Sequence, residues 1–513
     1  MEENRRRQFG GASAAWGGRC LPFDPIDFEK RSWVADSGWP VSFEALKAYY
    51  PKAAALCKTG SANFTVDGGK EKEILPGLKM EAFTDDTIER WSPPVNFAKT
   101  YRHELEQAQH IEVWLDSHAL QLDMTEAGKI DTVTVSVLNK AKKIAARIFV
   151  LAAGGIENPR LLLASKNDFY PAGIGNQHDN VGRYYMAHLN GTYLKIAPTN
   201  RETLNMDFSR DGKVYTRRRW QLSAKKQREA GLLNSIFFLH HAEETTGHRD
   251  VVFSAVFLAK GLKSLAAQRS LAAANKTFRL LRPALKEHLL NVGKNGFRSI
   301  PLLTGLLRKR ISTYRLPYIL PAKNAAWLGL YFQAEQTPNR ESRLTISADE
   351  KDALGMPRVI AGIQFNKQDL EAVVATHNLF ADAYTQAGIG ALDYTEAGLR
   401  AYLDKQITAF NSSAHHIGTT RMSAHPENGV VDSDAKVFGL SNLYVAGSSV
   451  FPTGSHANPT LTIVAQALRL AVLRSFIFMH TQQFNVQTSI FDFQDRKCPT
   501  CVRQVSSYDR VVL

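Results

Sequence analysis

Cysteine is scarce in this chain. Its 513 residues hold four, Cys20, Cys57, Cys498 and Cys501, too few for a disulfide framework at this length. Long apolar runs are missing too: the most apolar stretch, Thr460 to Met479, is interrupted by Arg469 and Arg474, whereas a membrane span needs about 20 largely uncharged residues. The opening residues Met1-Glu-Glu-Asn-Arg-Arg-Arg are not followed by the apolar core of a secretory signal. Internal repeats and low-complexity tracts do not occur. These absences point to a globular protein in a reducing, cytoplasmic environment, and the length to two domains. Acid is locally scarce as well: between Lys260 and Arg315 thirteen Lys or Arg face one acid, Glu287, within a chain of net charge +14. Leucines recur there at helical spacing, which predicts amphipathic helices with basic faces. They form a solvated insertion or, alternatively, dock on a membrane surface or a protein. Nucleic acid is not an expected partner, because the wider chain carries neither that bias nor a binding module.

What is present is an alternation of strands and helices. Ile111 to Met124 and Lys129 to Val137 read as a β-hairpin turning at Glu126-Ala127-Gly128. Arg147 to Ala152 (RIFVLA) reads as a buried strand that runs into Gly154-Gly155, after which Glu157-Asn158-Pro159 opens a helix. Asn442 to Ala446 (NLYVA) repeats the pattern: strand, the glycine turn Gly447-Ser448-Ser449, then a helix from Asn458-Pro459, with Asn as N-cap and Pro at the first helical position. Strand, glycine turn and helix N-terminus together receive anions. Arg343 to Ser347 and Arg358 to Phe365 read as strands of another sheet. The two glycine turns are far apart in sequence, so a second domain is inserted between two parts of one nucleotide-binding sheet.

Residues 8–20, QFGGASAAWGGRC, add two glycine pairs around small residues, a composition that lets backbone approach a bulky ligand closely. Together with LAAGGIENPRLLLAS, GRYYMAHL, HHIGTTRM and NLYVAGSSVFPTGSHANPTLTIVAQALRLA, in that order from Phe9 to about Arg474, this loop resembles the glucose–methanol–choline (GMC) family of flavin-dependent oxidoreductases. The resemblance implies an α/β (α+β) two-domain fold: a discontinuous, Rossmann-like FAD-binding domain and a substrate domain with a mostly antiparallel sheet covered by helices. The corresponding division is 1–190 and 406–475 for the cofactor, 191–405 for the substrate, and 476–513 as a C-terminal tail. It further implies a cofactor site made by Gly10, Gly11, Ser13, Trp16, Gly17, Gly18, Ala119, Gly154, Gly447, Ser448, Pro459 and Thr460. FAD is expected to be non-covalent, because Ala15 stands where some relatives carry a flavin-linking histidine. The family's strand–GxGxxG–helix unit is not found; Gly173-Ile-Gly175 meets His178 and Gly388-Ile-Gly390 meets Asp393 at the third glycine position. The alternative to an enzyme is therefore an inactive fragment, or one chain of a split flavoprotein that needs a separate dinucleotide-binding half.

Oxidising an alcohol by hydride transfer requires a base for the hydroxyl proton and a donor to orient the oxygen. By the family's H-x-x-G-T pattern His415 is the expected base, with His416 beside it; His240-His241 shows that a His pair alone proves nothing. Alignment of the closing helix makes Asn458, rather than His456, the expected donor. The expected substrate is a small alcohol such as a sugar or polyol, and no motif identifies its electron acceptor. Cys498-Pro-Thr-Cys501 cannot close a four-ligand zinc site alone, and no metal is expected.

Overall fold

A computed structural model of the chain describes residues 6–66, 71–93, 95–241, 325–408 and 415–481, short helical pieces between 254 and 304, and a strand at Val511–Val512. Most of the basic segment 260–315, and the Cys498–Cys501 pair, lie outside these residues. No helix among the described residues is long and apolar enough to cross a membrane.

Five sheets organise the described chain. The largest has six strands in the order β16 (Gly390–Asp393), β8 (His188–Pro198), β13 (Leu328–Glu335), β12 (Ser235–His241), β11 (Trp220–Leu222) and β2 (Phe83–Thr84), every neighbour antiparallel. Its two faces follow from period-two alternation. Along β13, Leu328, Leu330, Phe332 and Ala334 join Phe237 and Leu239 of β12 in one apolar core, which also takes in Val373 and Phe380 of the helix Lys367–Ala387. The alternate residues, Tyr331, Gln333 and Glu335 of β13 with Phe238 and His240 of β12 and His188 and Asn190 of β8, are left for the opposite face. Register pairs Gln333 with Asn190, Glu335 with His188 and Tyr331 with Phe238. Beside this sheet, β1 (Arg19–Cys20), β3 (Ile88–Trp91), β10 (Val214–Arg218) and β9 (Ser209–Asp211) form an antiparallel sheet.

A second core surrounds a three-stranded parallel sheet, β17 (Leu443–Val445), β7 (Ile148–Leu151) and β18 (Val511–Val512). The remaining sheets are β4 (Ser117–Asp123), β5 (Thr132–Val137) and β6 (Lys140–Ala145), and the hairpin β14 (Arg343–Lys351) with β15 (Pro357–Gly362). The expected combination of a parallel sheet with helices and a larger antiparallel sheet is the observed one.

Three local readings need correction. The first hairpin strand starts at Ser117, not Ile111; Ile111, Val113 and Leu115 stay 38%, 42% and 52% exposed rather than joining a sheet face. The helix after β7 starts at Gly154 and contains Pro159. Proline leaves the carbonyl four residues earlier without its amide partner; here that is Gly155, whose carbonyl accepts from the Thr419 hydroxyl at 2.6 Å. Finally, the closing helix spans Thr460–Thr481, and Ile463 N donates to the Pro459 carbonyl at 2.8 Å. Asn458 therefore lies one residue ahead of the cap, and its side chain is not used for capping.

Candidate active site

Two cavities flank the glycine loop and the histidine pair. The larger, about 770 Å³, is lined by Gly10, Gly11, Ser13, Trp16, Ala119, Gly154, Gly447, Ser448 and Thr460, along with Arg6, Arg7 and His416. Its volume lies within the usual range for small-molecule sites. The first residues of two helices, Gly154–Ala164 and Thr460–Thr481, border it, and helix N-termini present unpaired amides and positive potential to anions. A Cβ built on Gly154 would meet nothing within 4 Å, and one on Gly447 would meet only Gly154 Cα at 4.0 Å. These two glycines hold open the cavity wall with left-handed or otherwise glycine-specific backbone (φ 85° and 106°).

The loop that opens the sequence packs as a 3₁₀ turn, Gly11–Ala14. Ser13 Oγ donates to the Gly10 carbonyl and accepts from Phe97 N at 3.0 Å. Trp16 Nε1 donates to the Val95 carbonyl at 2.7 Å. Two of the expected cofactor residues line neither cavity. At Gly18 (φ 80°) a Cβ would come within 2.4 Å of the Ser92 carbonyl, so glycine there serves the approach of the loop to that chain. Pro459 instead carries the carbonyl that starts the closing helix. Gly17 lines the smaller cavity rather than the larger.

That smaller cavity, about 330 Å³, is lined by His415 and Asn458 with Gly17, Arg19, Trp91, Asn190, Phe238, His240, Tyr331 and Gln333. Consecutive residues divide between the two spaces: Trp16 and Gly17, and His416 and His415. The histidine pair and the glycine loop thus form the boundary between them. His456 does not line either cavity. It is fully buried, and Nε2 lies 3.1 Å from Asp24 Oδ2. Burial alone would raise the Asp24 pKa, but the hydrogen bond and charge of His456, with Arg219, hold it at about 2.

His415 Nδ1 lies 2.8 Å from Nδ1 of His188, a residue of β8 that is fully buried. Which ring carries the shared hydrogen follows from the far end of the pair. His188 Nε2 is 3.3 Å from the Gly454 carbonyl, and a carbonyl only accepts. Burial pushes the His188 pKa down to about 3, so the ring is neutral: Nε2 carries its hydrogen and Nδ1 the lone pair. His415 Nδ1 is then the donor, and the lone pair of His415 sits on Nε2. Burial first, with the Arg19 charge behind it, lowers the His415 pKa well below its ordinary value. The ring is neutral at neutral pH.

His188, Gln333 and Arg19 were not among the residues singled out from sequence. His188 stands in GRYYMAHL, one of the segments that carried the resemblance, but no histidine spacing marks it. Arg19 closes the glycine loop, its Nε 2.5 Å from Glu89 Oε2. Burial raises the Glu89 carboxylate, but Arg19, Arg217 and Arg219 outweigh it and hold the pKa at about 2.

Residues 338–467 match the family model described as GMC oxidoreductase. The chain is 22% identical to 2-methyl-1,2-propanediol dehydrogenase of Mycolicibacterium austroafricanum, across 90% of this chain and 79% of that protein. It is 25% identical to the fructose dehydrogenase large subunit of Gluconobacter japonicus, across 65% of this chain and 48% of that subunit; the match thus spans about half the length of that relative. Among solved structures it shares its fold with pyridoxine 4-oxidase from Mesorbium loti at a TM-score of 0.51, with 15% identity, 92% of this chain and 84% of that one covered.

Proposed function

We propose that this chain, which belongs to the GMC oxidoreductases, oxidises a CH–OH group of a small polyol or sugar, with His415 as the base and FAD as the bound cofactor. The relatives named for a diol and a sugar support the substrate class. The residues of the larger cavity fit FAD. Its two helix N-termini, with Arg6 and Arg7, suit a pyrophosphate, and the open faces of Gly154 and Gly447 suit close approach of a bulky group. Ala15 stands where some relatives carry a flavin-linking histidine, so the cofactor is held non-covalently. Bound there, FAD supplies the acceptor for the hydride that leaves the substrate carbon.

The chain's own residues manage the proton and the oxygen. His415 receives the hydroxyl proton at Nε2, the nitrogen that the His188 contact leaves with a lone pair. The 2.8 Å contact between His415 Nδ1 and His188 Nδ1 is the observation that carries the proposal. A base must be unprotonated to act, and burial keeps His415 so. Asn458, in the same cavity wall, donates to the oxygen as it gains negative character; a neutral amide does this without titrating. The test is anaerobic stopped-flow reduction of the FAD-loaded protein by a panel of diols and sugars. His415→Ala should slow reduction by about 10²–10⁴-fold with FAD content unchanged. A rate within a few-fold of the parent removes His415 from the reaction.

A further inference from the structure

The cavity wall contains a second chain of hydrogen bonds with no part in the reaction described so far. Arg19 Nη1 donates to Gln333 Oε1 at 3.1 Å. Gln333 Nε2 donates to the His456 backbone carbonyl at 2.5 Å and to Asn458 Oδ1 at 3.0 Å. Both hydrogens of that amide are thereby used. Asn458 Oδ1 is occupied, and its Nδ2 has no partner among the described residues.

We propose that Arg19 and Gln333 are positioning residues that dictate which end of the Asn458 amide faces the smaller cavity. This rests on the reading of Asn458 as the donor to the substrate oxygen. The argument is one of polarity. A side-chain amide can face either way at nearly the same shape, so its direction must come from its partners. Gln333 is bounded by two groups that cannot reverse roles: a guanidinium, which has donors only, and a backbone carbonyl, which has acceptance only. Turning Gln333 over would set its NH₂ against Arg19 and its oxygen against the His456 carbonyl. With Gln333 so fixed, turning Asn458 over would set NH₂ against NH₂. The error cannot be absorbed anywhere along the chain, so the donor end of Asn458 is the end left for substrate. Arg19 is in turn anchored by Glu89, to which Arg217 also donates at 3.0 Å, and by its strand pairing opposite Trp91. Gln333 sits on β13 opposite Asn190 of β8. The direction of one amide is thus set by two different sheets.

The His188 pair works in the same way with the opposite outcome. It ends on the carbonyl of Gly454 and presents a lone pair; the Gln333 chain ends on the carbonyl of His456, two residues on, and presents a donor. The turn 454–456 therefore serves as a common reference for both the base and the donor.

Gln333→Glu keeps the shape and reverses the polarity, because a carboxylate only accepts. Asn458 should then turn its NH₂ towards residue 333 and its oxygen towards the cavity. Two measurements test this. The first needs no turnover: in protein labelled with [¹⁵N]asparagine, the Asn458 side-chain signal is assigned by its loss in Asn458→Asp. In the parent its protons should exchange freely with water; in Gln333→Glu one should move downfield and exchange slowly. An unchanged Asn458 signal overturns the proposal. The second is the limiting rate of FAD reduction by the fastest diol or sugar of the panel. It should fall about 10²-fold in Gln333→Glu, the scale for loss of one such donor, with KM changed little, and the loss should vanish when Asn458→Ala is already present. Gln333→Met, which releases the amide without charge, should fold in any case; its loss should be only a few-fold and should also vanish in the Asn458→Ala background. A loss that persists in that background means that residue 333 acts otherwise and overturns the proposal. If Asn458→Ala alone leaves reduction unaltered, the reading of Asn458 as donor fails, while the asparagine spectrum still decides whether Gln333 orients it.

Discussion

His188→Phe tests the tautomer that the mechanism depends on. In the parent, His415 Nδ1 donates across 2.8 Å to a neutral His188. Phenylalanine nearly preserves the ring volume and removes the acceptor. The Nδ1 hydrogen of His415 would then be enclosed without a partner, at a cost of about 1–3 kcal/mol. The ring can avoid that cost by moving its hydrogen to Nε2, which is the atom required as base. The tautomer that was favoured becomes disfavoured by the same margin, and about 1–3 kcal/mol corresponds to a roughly 5- to 150-fold loss of rate. The pH profile supplies an independent sign. A neutral acceptor at Nδ1 favours the protonated form of His415, so its removal lowers the His415 pKa further. A base acts above its pKa, so the acid limb of the reduction rate should move to lower pH in the variant. Anaerobic stopped-flow across pH 5–9, with thermal melts at each pH, measures both effects. His188→Gln, which can still offer an acceptor, should recover part of the rate. A His188→Phe rate within two-fold of the parent, with an unmoved acid limb, would refute the tautomer argument.

Three further outcomes follow from the same structure. Asn458→Asp should slow flavin reduction more than His456→Ala, since Asn458 lines the cavity and His456 is buried against Asp24; stopped-flow rates in the opposite order, with FAD retained, would reverse that assignment. His377 is buried, donates from Nδ1 to the Val373 carbonyl at 2.7 Å, and has its pKa pushed by burial down to about 4. The unfolded chain, with an ordinary pKa near 6.5, binds a proton there that the folded chain refuses. This contribution is absent above about pH 6.5 and destabilises progressively as pH falls to about 4, reaching about 2 kcal/mol at pH 5. His377→Leu should therefore lose less stability than the parent between pH 7 and 5 in urea titrations, and equal slopes would show His377 uninvolved. Gly155→Ala places a Cβ 2.3 Å from the His416 carbonyl, so it should displace the His415–His416 segment and cut the reduction rate at least about 10-fold; a parental rate would mean that this segment yields without consequence.

The parts of the molecule that were legible in the sequence are those where backbone chemistry is local. Gly154 and Gly447 sit at turns after short, largely buried strands, and both line the larger cavity because a positive φ and an open Cβ position are properties of one residue and its neighbours. The helix boundary near Pro159 is not legible in the sequence for a related reason. Proline is normally excluded from a helix interior by the amide it lacks, and what rescues it here is a hydroxyl on Thr419, far along the chain. The apolar residues before Ser117 show the converse: alternation alone does not make a strand where no partner surface covers it.

The residues that set the direction of the site were hidden by distance, not by chemistry. Arg19 and Gln333 meet across 314 residues, and His188 and His415 across 227; nothing in one segment forecasts the other. Yet β13, LGLYFQAE, carried a usable signal. Its even positions, Leu328, Leu330, Phe332 and Ala334, are all apolar, and Tyr331, Gln333 and Glu335 alternate with them. Polar residues on the second face of a buried strand must find hydrogen-bond partners, so that face has to meet other polar groups rather than lipid-like core. Glu335 meets the Arg31 guanidinium through two contacts of 2.8 and 2.5 Å, and Gln333 meets Arg19 and Asn458. An alternating strand with an amide and an acid on one side and aliphatic chains on the other is thus a sign of a polar chamber against a sheet, and the requirement that each buried donor find an acceptor is what then fixes the directions of the groups within it.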